Sequence, residues 1–223
     1  MSKLILIPTP IGNLGDITQR AVECIKTVDI LLCEDTRRSL KLLNHLKIKK
    51  TLKSYHKFNE HSTVEKVINE IESGLVVGLI SDAGTPSISD PGYLIVKMCI
   101  DNNLEVECLP GPTALIPALA VSGLPSERFV FEGFLPVKKG RKTRLEELSN
   151  EKRTMIFYES PYKLYKTLQD FSNSFGLDRE ISISKELTKI FESTTRGRIK
   201  DLLPEYENKK LKGEFVIVVK GLK

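Results

Sequence analysis

The sequence predicts an α/β protein built from two α/β domains, and three observations carry that expectation. Short apolar runs suited to buried parallel strands alternate with amphipathic stretches of helical period. The apolar runs end in loops rich in Pro and Gly, which is where an open α/β sheet places its ligand site. In the second half, strands also follow one another with no helix between them, so its sheet should be mixed. The domains are expected at residues 1–115 and 116–223, each near the lower end of ordinary domain sizes.

In order, Leu4 to Ile7 is a first strand stopped by Pro8-Thr9-Pro10. Asp16 or Thr18 caps a helix that buries Ala21, Val22 and Ile25 and runs to Lys26. Asp29 to Cys33 is a second strand. Asp35 or Thr36 then caps a helix through Leu40, Leu43 and Leu46. Thr51 to Tyr55 reads as a third strand, and a helix capped by Ser62 runs to Ser73, where Gly74 stops it. Leu75 to Ser81, a helix from Gly92 to Asn102, and Leu104 to Leu109 complete the first domain. A helix of small residues, Thr113 to Val121, leads to a hinge at Ser122-Gly123-Leu124-Pro125. The second domain has strands at Arg128 to Phe134, Thr154 to Tyr158, Ile181 to Lys185, Phe191 to Arg196 and Glu214 to Lys220. Its helices fall at Arg141 to Ser149, Pro161 to Phe175 and Ile199 to Glu205. No repeat or low-complexity tract interrupts this order.

Composition narrows the class further. With 223 residues, 40% of them hydrophobic and 28% charged, the chain is an ordinary globular sequence with a sizeable core, neither disordered nor collagen-like. No apolar run approaches the ~18 residues of a membrane span. The start has one basic residue and too short an apolar stretch for a signal peptide. Four cysteines without a C-x-x-C pair and three histidines without metal spacing argue against zinc, so no metal is expected. A reduced, cytoplasmic protein is the simpler reading.

Four loops follow strand ends: Pro8-Thr9-Pro10-Ile11-Gly12-Asn13-Leu14, Cys33-Glu34-Asp35-Thr36-Arg37, Ser81-Asp82-Ala83-Gly84-Thr85-Pro86, and Leu109-Pro110-Gly111-Pro112-Thr113-Ala114. Any one is an ordinary βα turn; four on one sheet edge form a stiff frame able to hold a ligand against main-chain groups. None contains G-x-G-x-x-G or a Lys-bearing phosphate loop, so ATP and NAD are not supported. No serine sits in a G-x-S-x-G elbow.

The net charge of +5 is uneven. Arg37, Arg38, Lys41, Lys47, Lys49, Lys50, Lys53 and Lys57 lie in a window from Thr36 to Asn59 that contains no acid, and Lys138, Lys139, Arg141, Lys142 and Arg144 form a second acid-free cluster. The remainder of the chain therefore carries a net −8, thirteen below the total. A lone lysine cluster is ordinarily a solvated face. Two of them, the first interleaved with Tyr55, His56 and Phe58, point to a phosphate backbone and to single-stranded RNA. The expected RNA contacts are Arg38, Lys41, Lys49, Lys50, Lys53, Tyr55, His56, Lys138, Lys139 and Arg141.

The strings LILIPTPIGNLGDIT, DILLCEDTRRS, LISDAGTPSISDPG, CLPGPTALIPALAVSGLPSERFVFEGFLP, TMIFYES, SKELTK and KGEFVIVV, in this order over nearly all of the chain, closely resemble the small-subunit (16S) ribosomal RNA ribose 2′-O-methyltransferase I family of the tetrapyrrole methylase superfamily. The resemblance implies two α/β domains with the cofactor in the cleft between them and a homodimer. It implies S-adenosyl-L-methionine as cofactor, and methylation of a cytidine ribose 2′-OH in the decoding region of rRNA, with free rRNA or the 30S subunit as partner. By resemblance Asp82, Ala83, Gly84 and Thr85 line the cofactor, as do Pro110, Gly111, Thr113 and Ala114. Pro8 to Gly12 matches the first glycine-rich loop in position but keeps only Gly12 where tetrapyrrole enzymes carry several glycines. Tyr158, Glu159, Lys185 and Glu186 match second-domain segments flanking the cleft. Some members carry a small domain after the last strand, and RNA contacts from such a part are not expected of this chain.

Methyl transfer from a sulfonium requires in-line placement of the acceptor oxygen and loss of its proton, with no metal and no covalent enzyme intermediate. Glu34 and Asp35 are candidates for orienting or deprotonating the acceptor, with Arg37 holding the target phosphate; Glu132 and Glu186 are further candidates. Asp35-Thr36 is equally readable as a helix cap, and the two roles are compatible. His56 is a further candidate base but reads as a surface residue. Three alternatives stand. A tetrapyrrole or other small-molecule methyltransferase would have little use for the clustered charge. A non-catalytic rRNA-binding assembly factor would not need four constrained loops, and a phosphate-transferring enzyme would need the absent Lys-bearing loop.

Overall fold

The computed structural model describes residues 2–222. The chain divides into two compact units, Met1–Thr113 and Ala114–Lys223.

Unit 1 alternates strand and helix: β1 (Lys3–Leu6), α1 (Gln19–Thr27), β2 (Ile30–Cys33), α2 (Thr36–His45), β3 (Leu52–Ser54), α3 (Glu60–Glu72), β4 (Val76–Ile80), α4 (Tyr93–Asp101) and β5 (Glu105–Cys108). Its sheet has the order β3-β2-β4-β1-β5, every pairing parallel. Because successive strand side chains face opposite ways, Leu4, Leu6, Leu32 and Leu79 pack with Val67, Ile68 and Ile71 of α3 and with Ile95 and Cys99 of α4. Ile5, Ile7, Leu31 and Cys33 pack on the other face with Ala21 and Ile25 of α1 and Leu43 of α2. Both faces are covered, as a parallel sheet requires. All strand carboxyl ends therefore reach one edge.

Two caps expected from the sequence form. Thr18 accepts from the Ala21 amide at 3.1 Å and Asp35 from the Arg37 amide at 2.8 Å. The cap expected at Ser62 does not form, because α3 begins two residues earlier: Asn59 Oδ1 accepts from the His56 amide and its Nδ2 donates to Ser54 O, so the chain turns before Ser62.

Unit 2 consists of α5 (Leu115–Ser122), β6 (Phe129–Phe134), α6 (Arg141–Ser149), β7 (Thr154–Glu159), α7 (Leu164–Phe175), β8 (Glu180–Lys185), β9 (Ser193–Arg198), α8 (Ile199–Tyr206) and β10 (Phe215–Val219). The sheet order is β6-β7-β10-β8-β9; β6 and β7 are parallel, and β10 runs antiparallel to both β7 and β8. One face packs Met155, Phe157, Ile183 and Ile217 against Leu145, Leu168, Phe171 and Leu202 from α6, α7 and α8. The other face, with Ile156 and Val218 fully buried, lies against α5. The fourth strand of this unit starts at Ser193, not Phe191. Thr188 N donates to Glu192 at 2.6 Å, and this turn occupies the first residues assigned to the strand. Likewise α7 starts at Leu164, since residues 161–163 form a turn. No helix of the described residues is long and apolar enough to cross a membrane.

Candidate active site

In unit 1 the strand-end loops are stapled together. Thr9 and Gly84 exchange both backbone hydrogen bonds at 2.9 Å, Thr9 Oγ1 donates to Ser81 O, and Ser81 Oγ donates to Gly84 O. Thr85 Oγ1 donates to Pro112 O at 3.0 Å, which ties the loop after β4 to the loop after β5. Gly111 permits the third contact: a Cβ there would stand 2.5 Å from the Pro8 Cβ, closer than any side chain allows. The frame therefore brings together Pro8, Asp82, Ala83, Gly84, Thr85, Pro110, Gly111 and Thr113. Gly12 lies further along the exposed first loop, and Ala114 caps α5 as the first residue of unit 2.

Carboxylates gather at the same edge. Asp82 accepts from the Asp35 amide at 3.1 Å and pairs with Arg38 at 3.4 Å. Asp35 is committed twice, to the α2 amides and to a two-point pair with the exposed Arg37, and these hydrogen bonds hold its carboxyl far below the usual range. Such a group stays ionised and is a weak proton acceptor. Glu34 differs: burial, and then the negative field of Asp82, push its pKa up. Asp90, in the Asp-Pro-Gly segment before α4, is pushed up to about 6, first by burial and then by the fields of Glu34 and Asp82. Asp90 was missed in the sequence, where DPG reads only as a turn; its string already stood among the characteristic ones. A cavity of about 160 Å³ lined by Thr9, Leu14, Arg38, Lys41, Ser81 and Asp82 opens beside this edge. It is smaller than ordinary ligand cavities of ~300–1,000 Å³.

The basic window is partly consumed within the fold. Lys53 pairs with Glu70, and Lys50 Nζ donates to Lys26 O and Val28 O at the end of α1. Tyr55 is 0% exposed, inside the core against α3 and α4. The expectation that it stacks on RNA is therefore corrected: the alternation of β3 that exposes Ser54 turns Tyr55 inward. Phe58, 95% exposed, is the free aromatic of that segment; it makes an edge contact with His56, whose Nδ1 accepts from the Phe58 amide. Lys41 and Lys49 are exposed.

In unit 2, β6, β7 and β8 end at one edge, carrying Phe134, Tyr158, Glu159, Lys185 and Glu186. Glu159 does not line an open site. It is buried, accepts from the Ser160 amide at 2.8 Å and from Thr167 Oγ1 at 2.6 Å, and so anchors α7. Arg141 is likewise corrected from RNA contact to scaffold: its side chain, 12% exposed, donates to Asp170 at 2.8 Å, to Thr167 Oγ1 at 2.8 Å and to Pro136 O at 3.2 Å. Glu132 forms a two-point pair with Arg144, at 2.8 Å through each nitrogen. Glu186 is held ionised by Lys189 and the Glu214 amide. Lys138 and Lys139 are exposed, and among the described residues neither enters an ion pair.

Residues 3–203 match the family model for Tetrapyrrole (Corrin/Porphyrin) Methylases. The chain is 44% identical over 221 residues to the Ribosomal RNA small subunit methyltransferase I of Thermotoga maritima, covering 99% of each sequence. It is 47% identical over 222 residues to the protein of that name from Vibrio cholerae, covering 98% of this chain and 77% of the relative. Among solved structures it resembles the methyltransferase CobJ (TM-score 0.71, 16% identity, 99% and 95% of the two chains). It also resembles uroporphyrin-III C-methyl transferase from Thermus thermophilus complexed with S-adenyl homocysteine (TM-score 0.66, 16% identity, 97% and 96%). At such identities the structures speak to the fold, whereas the sequence relatives fix the closer kinship. The chain belongs to the ribosomal RNA small subunit methyltransferase I family, within the tetrapyrrole methylases.

Proposed function

We propose that the chain transfers the methyl group of S-adenosyl-L-methionine to the ribose 2′-OH of a cytidine in the decoding region of small-subunit (16S) rRNA, in the cytoplasm and as a homodimer. The observation that carries the chemistry is the stapled edge of unit 1, where Pro/Gly loops without a phosphate-binding lysine stand beside the carboxylates Glu34, Asp82 and Asp90. A rigid edge carrying these carboxylates suits a positively charged donor, and loops without a phosphate-binding lysine disfavour a nucleoside triphosphate. When bound, the cofactor supplies a methyl group already activated as a sulfonium, so the protein's task is positioning and proton removal.

Asp82, Gly84, Thr85, Gly111 and Thr113 are the residues of this unit that would hold it, with Pro8, Ala83 and Pro110 shaping the wall and Gly12 at the rim. Ala114, Tyr158, Lys185 and Glu186 are the contributions proposed from unit 2. Arg37, exposed beside Asp35, receives a target phosphate. Glu34 and Asp90, whose carboxyls are drawn toward neutral pH, take the 2′-OH proton; Asp35 keeps Arg37 in place. Lys41, Lys49, Lys138 and Lys139 meet the RNA backbone, and Arg38 and His56 lie alongside that path.

Incubation with labelled S-adenosyl-L-methionine and naked 16S rRNA, 30S subunits or tetrapyrrole precursors tests the reading. Label in rRNA is expected. Label only in a small molecule would overturn it, and no transfer to any acceptor would favour an assembly factor.

A further inference from the structure

The two basic clusters leave open how unit 2 addresses a nucleobase as opposed to a phosphate, and β6 answers this. Phe131, Tyr158 and Phe134 form an aromatic ladder, with ring centroids 4.9 and 5.7 Å apart and edge-to-face angles of 69° and 68°. In an unbroken strand, residues three apart face opposite ways. Here the register shifts between Phe131 and Gly133, which has φ +60, and this bulge returns Phe134 to the side of Phe131, where both rings meet Tyr158. The ladder's outer member, Phe134, is 59% exposed and Val137 beyond it 64%. An exposed phenylalanine fixed by a bulge and by a neighbouring ring is a costly arrangement for a residue that only fills space.

The chain beyond Phe134 is fixed as well. Leu135 is buried in the unit 2 core, and Pro136 O is held by the Arg141 guanidinium, itself locked to Asp170 and Thr167. Lys138 stands four residues from Phe134, so the two Cα atoms are at most ~14 Å apart.

We infer that Phe134, backed by Tyr158, is a stacking platform for one base of a single-stranded RNA whose phosphates follow Lys138 and Lys139. Rings beside unpaired cations on a preset loop are what single-stranded nucleic acid selects, since every base has a face to stack and ordering costs are already met. This rests on the rRNA reading above and adds to it a base contact that the charge pattern does not contain.

The chain has no tryptophan, so Phe134→Trp in the full chain gives a single reporter at the platform. A single-stranded 12-nucleotide RNA is expected to quench its fluorescence, while inorganic polyphosphate, which has charge but no bases, is not. Phe134→Leu, which keeps the apolar contact with Tyr158 but removes the ring, is expected to weaken RNA binding on the order of tenfold with an unchanged salt slope. Lys138→Ala with Lys139→Ala is expected instead to reduce the salt slope by roughly 1.4. Equal RNA affinity for Phe134→Leu, or equal quenching by polyphosphate, would overturn the platform. So would a fluorescence change that follows protein concentration without RNA, because the face would then be a contact between copies. If the unaltered protein methylates rRNA while Phe134→Leu binds as well as it does, only the platform fails; absence of rRNA methylation by the unaltered protein removes the reading beneath it.

Discussion

The two basic clusters look alike in sequence and do different things in space. In the window from Arg37 to Lys57, arginines and lysines fold back onto acids and carbonyls of their own unit: Arg37 on Asp35, Arg38 on Asp82, Lys53 on Glu70, Lys50 on the end of α1. In the cluster from Lys138 to Arg144, the arginines are scaffold, Arg141 on Asp170 and Arg144 on Glu132, and the loop lysines Lys138 and Lys139 are left to solvent. A run without acids along the chain is not a region without acids in the fold. Within the second cluster the planar, multi-donor arginine heads take the structural pairs and the compact, well-hydrated loop lysines stay at the surface, whereas in the first cluster Lys50 and Lys53 fold back as well.

The largest effect expected concerns the acids beside the first cluster. Asp90→Asn should lower methyl transfer by roughly 10²-fold or more, as loss of a proton acceptor does. With its carboxyl pushed up to about 6, the acceptor form grows as pH rises, so the rate of the unaltered enzyme should climb from about pH 5 to 7; the variant should lack that limb. The same shift has a stability sign. The folded chain holds this proton up to about pH 6 and the unfolded chain releases it near 3.8, so the group withdraws stability as pH rises through that window. Asp90→Asn should remove this loss, which thermal unfolding at pH 4 and 7 measures.

Next in size is the scaffold of the second cluster. Arg141→Ala leaves the half-buried Asp170 with Lys166 as its remaining ion-pair partner and frees Pro136 O, and leaving such groups short of a hydrogen bond costs about 1–3 kcal/mol. Denaturant unfolding should show it directly. Lys139→Ala, by contrast, should stay within ~0.5 kcal/mol of the unaltered protein, as surface changes do. If the two substitutions cost the same, the division between scaffold arginines and free lysines is wrong.

Smaller still are the effects on RNA binding in the first cluster. Lys49→Ala should weaken binding and lower the salt slope by roughly 0.7, the share of one phosphate contact, whereas Tyr55→Phe should leave both unchanged because the ring lies in the core. A loss of RNA affinity in Tyr55→Phe would return that residue to the surface path.

Much of the fold was legible because it depends on local rules. Apolar runs of strand length ended by Pro8 and Gly12, Gly84 and Gly111, together with the caps Thr18 and Asp35, announce strand, loop and helix by chemistry that acts over a few residues. What was not legible depends on partners distant in sequence. Asp170 lies 29 residues from the Arg141 it holds, and Glu70 lies 17 from Lys53. Nothing near Glu159 says that Thr167 of α7 will donate to its carboxylate, and nothing near Asp90 says that Glu34 and Asp82 will share its edge. The bulge at Glu132 and Gly133 is a further case, since it exists only against the neighbouring strand.

We propose methyl transfer to a ribose 2′-oxygen at the carboxylate-bearing edge of unit 1 with RNA held by free lysines, and the position of the label tests this most directly. A 2′-O-methyl group removes the hydroxyl that alkali uses to cut the chain. Labelled small-subunit rRNA digested with alkali should therefore yield its label in one resistant dinucleotide beginning with a methylated cytidine, and Asp90→Asn should deplete that product. Label released as ordinary mononucleotides would place the methyl group on a base and contradict transfer to the ribose.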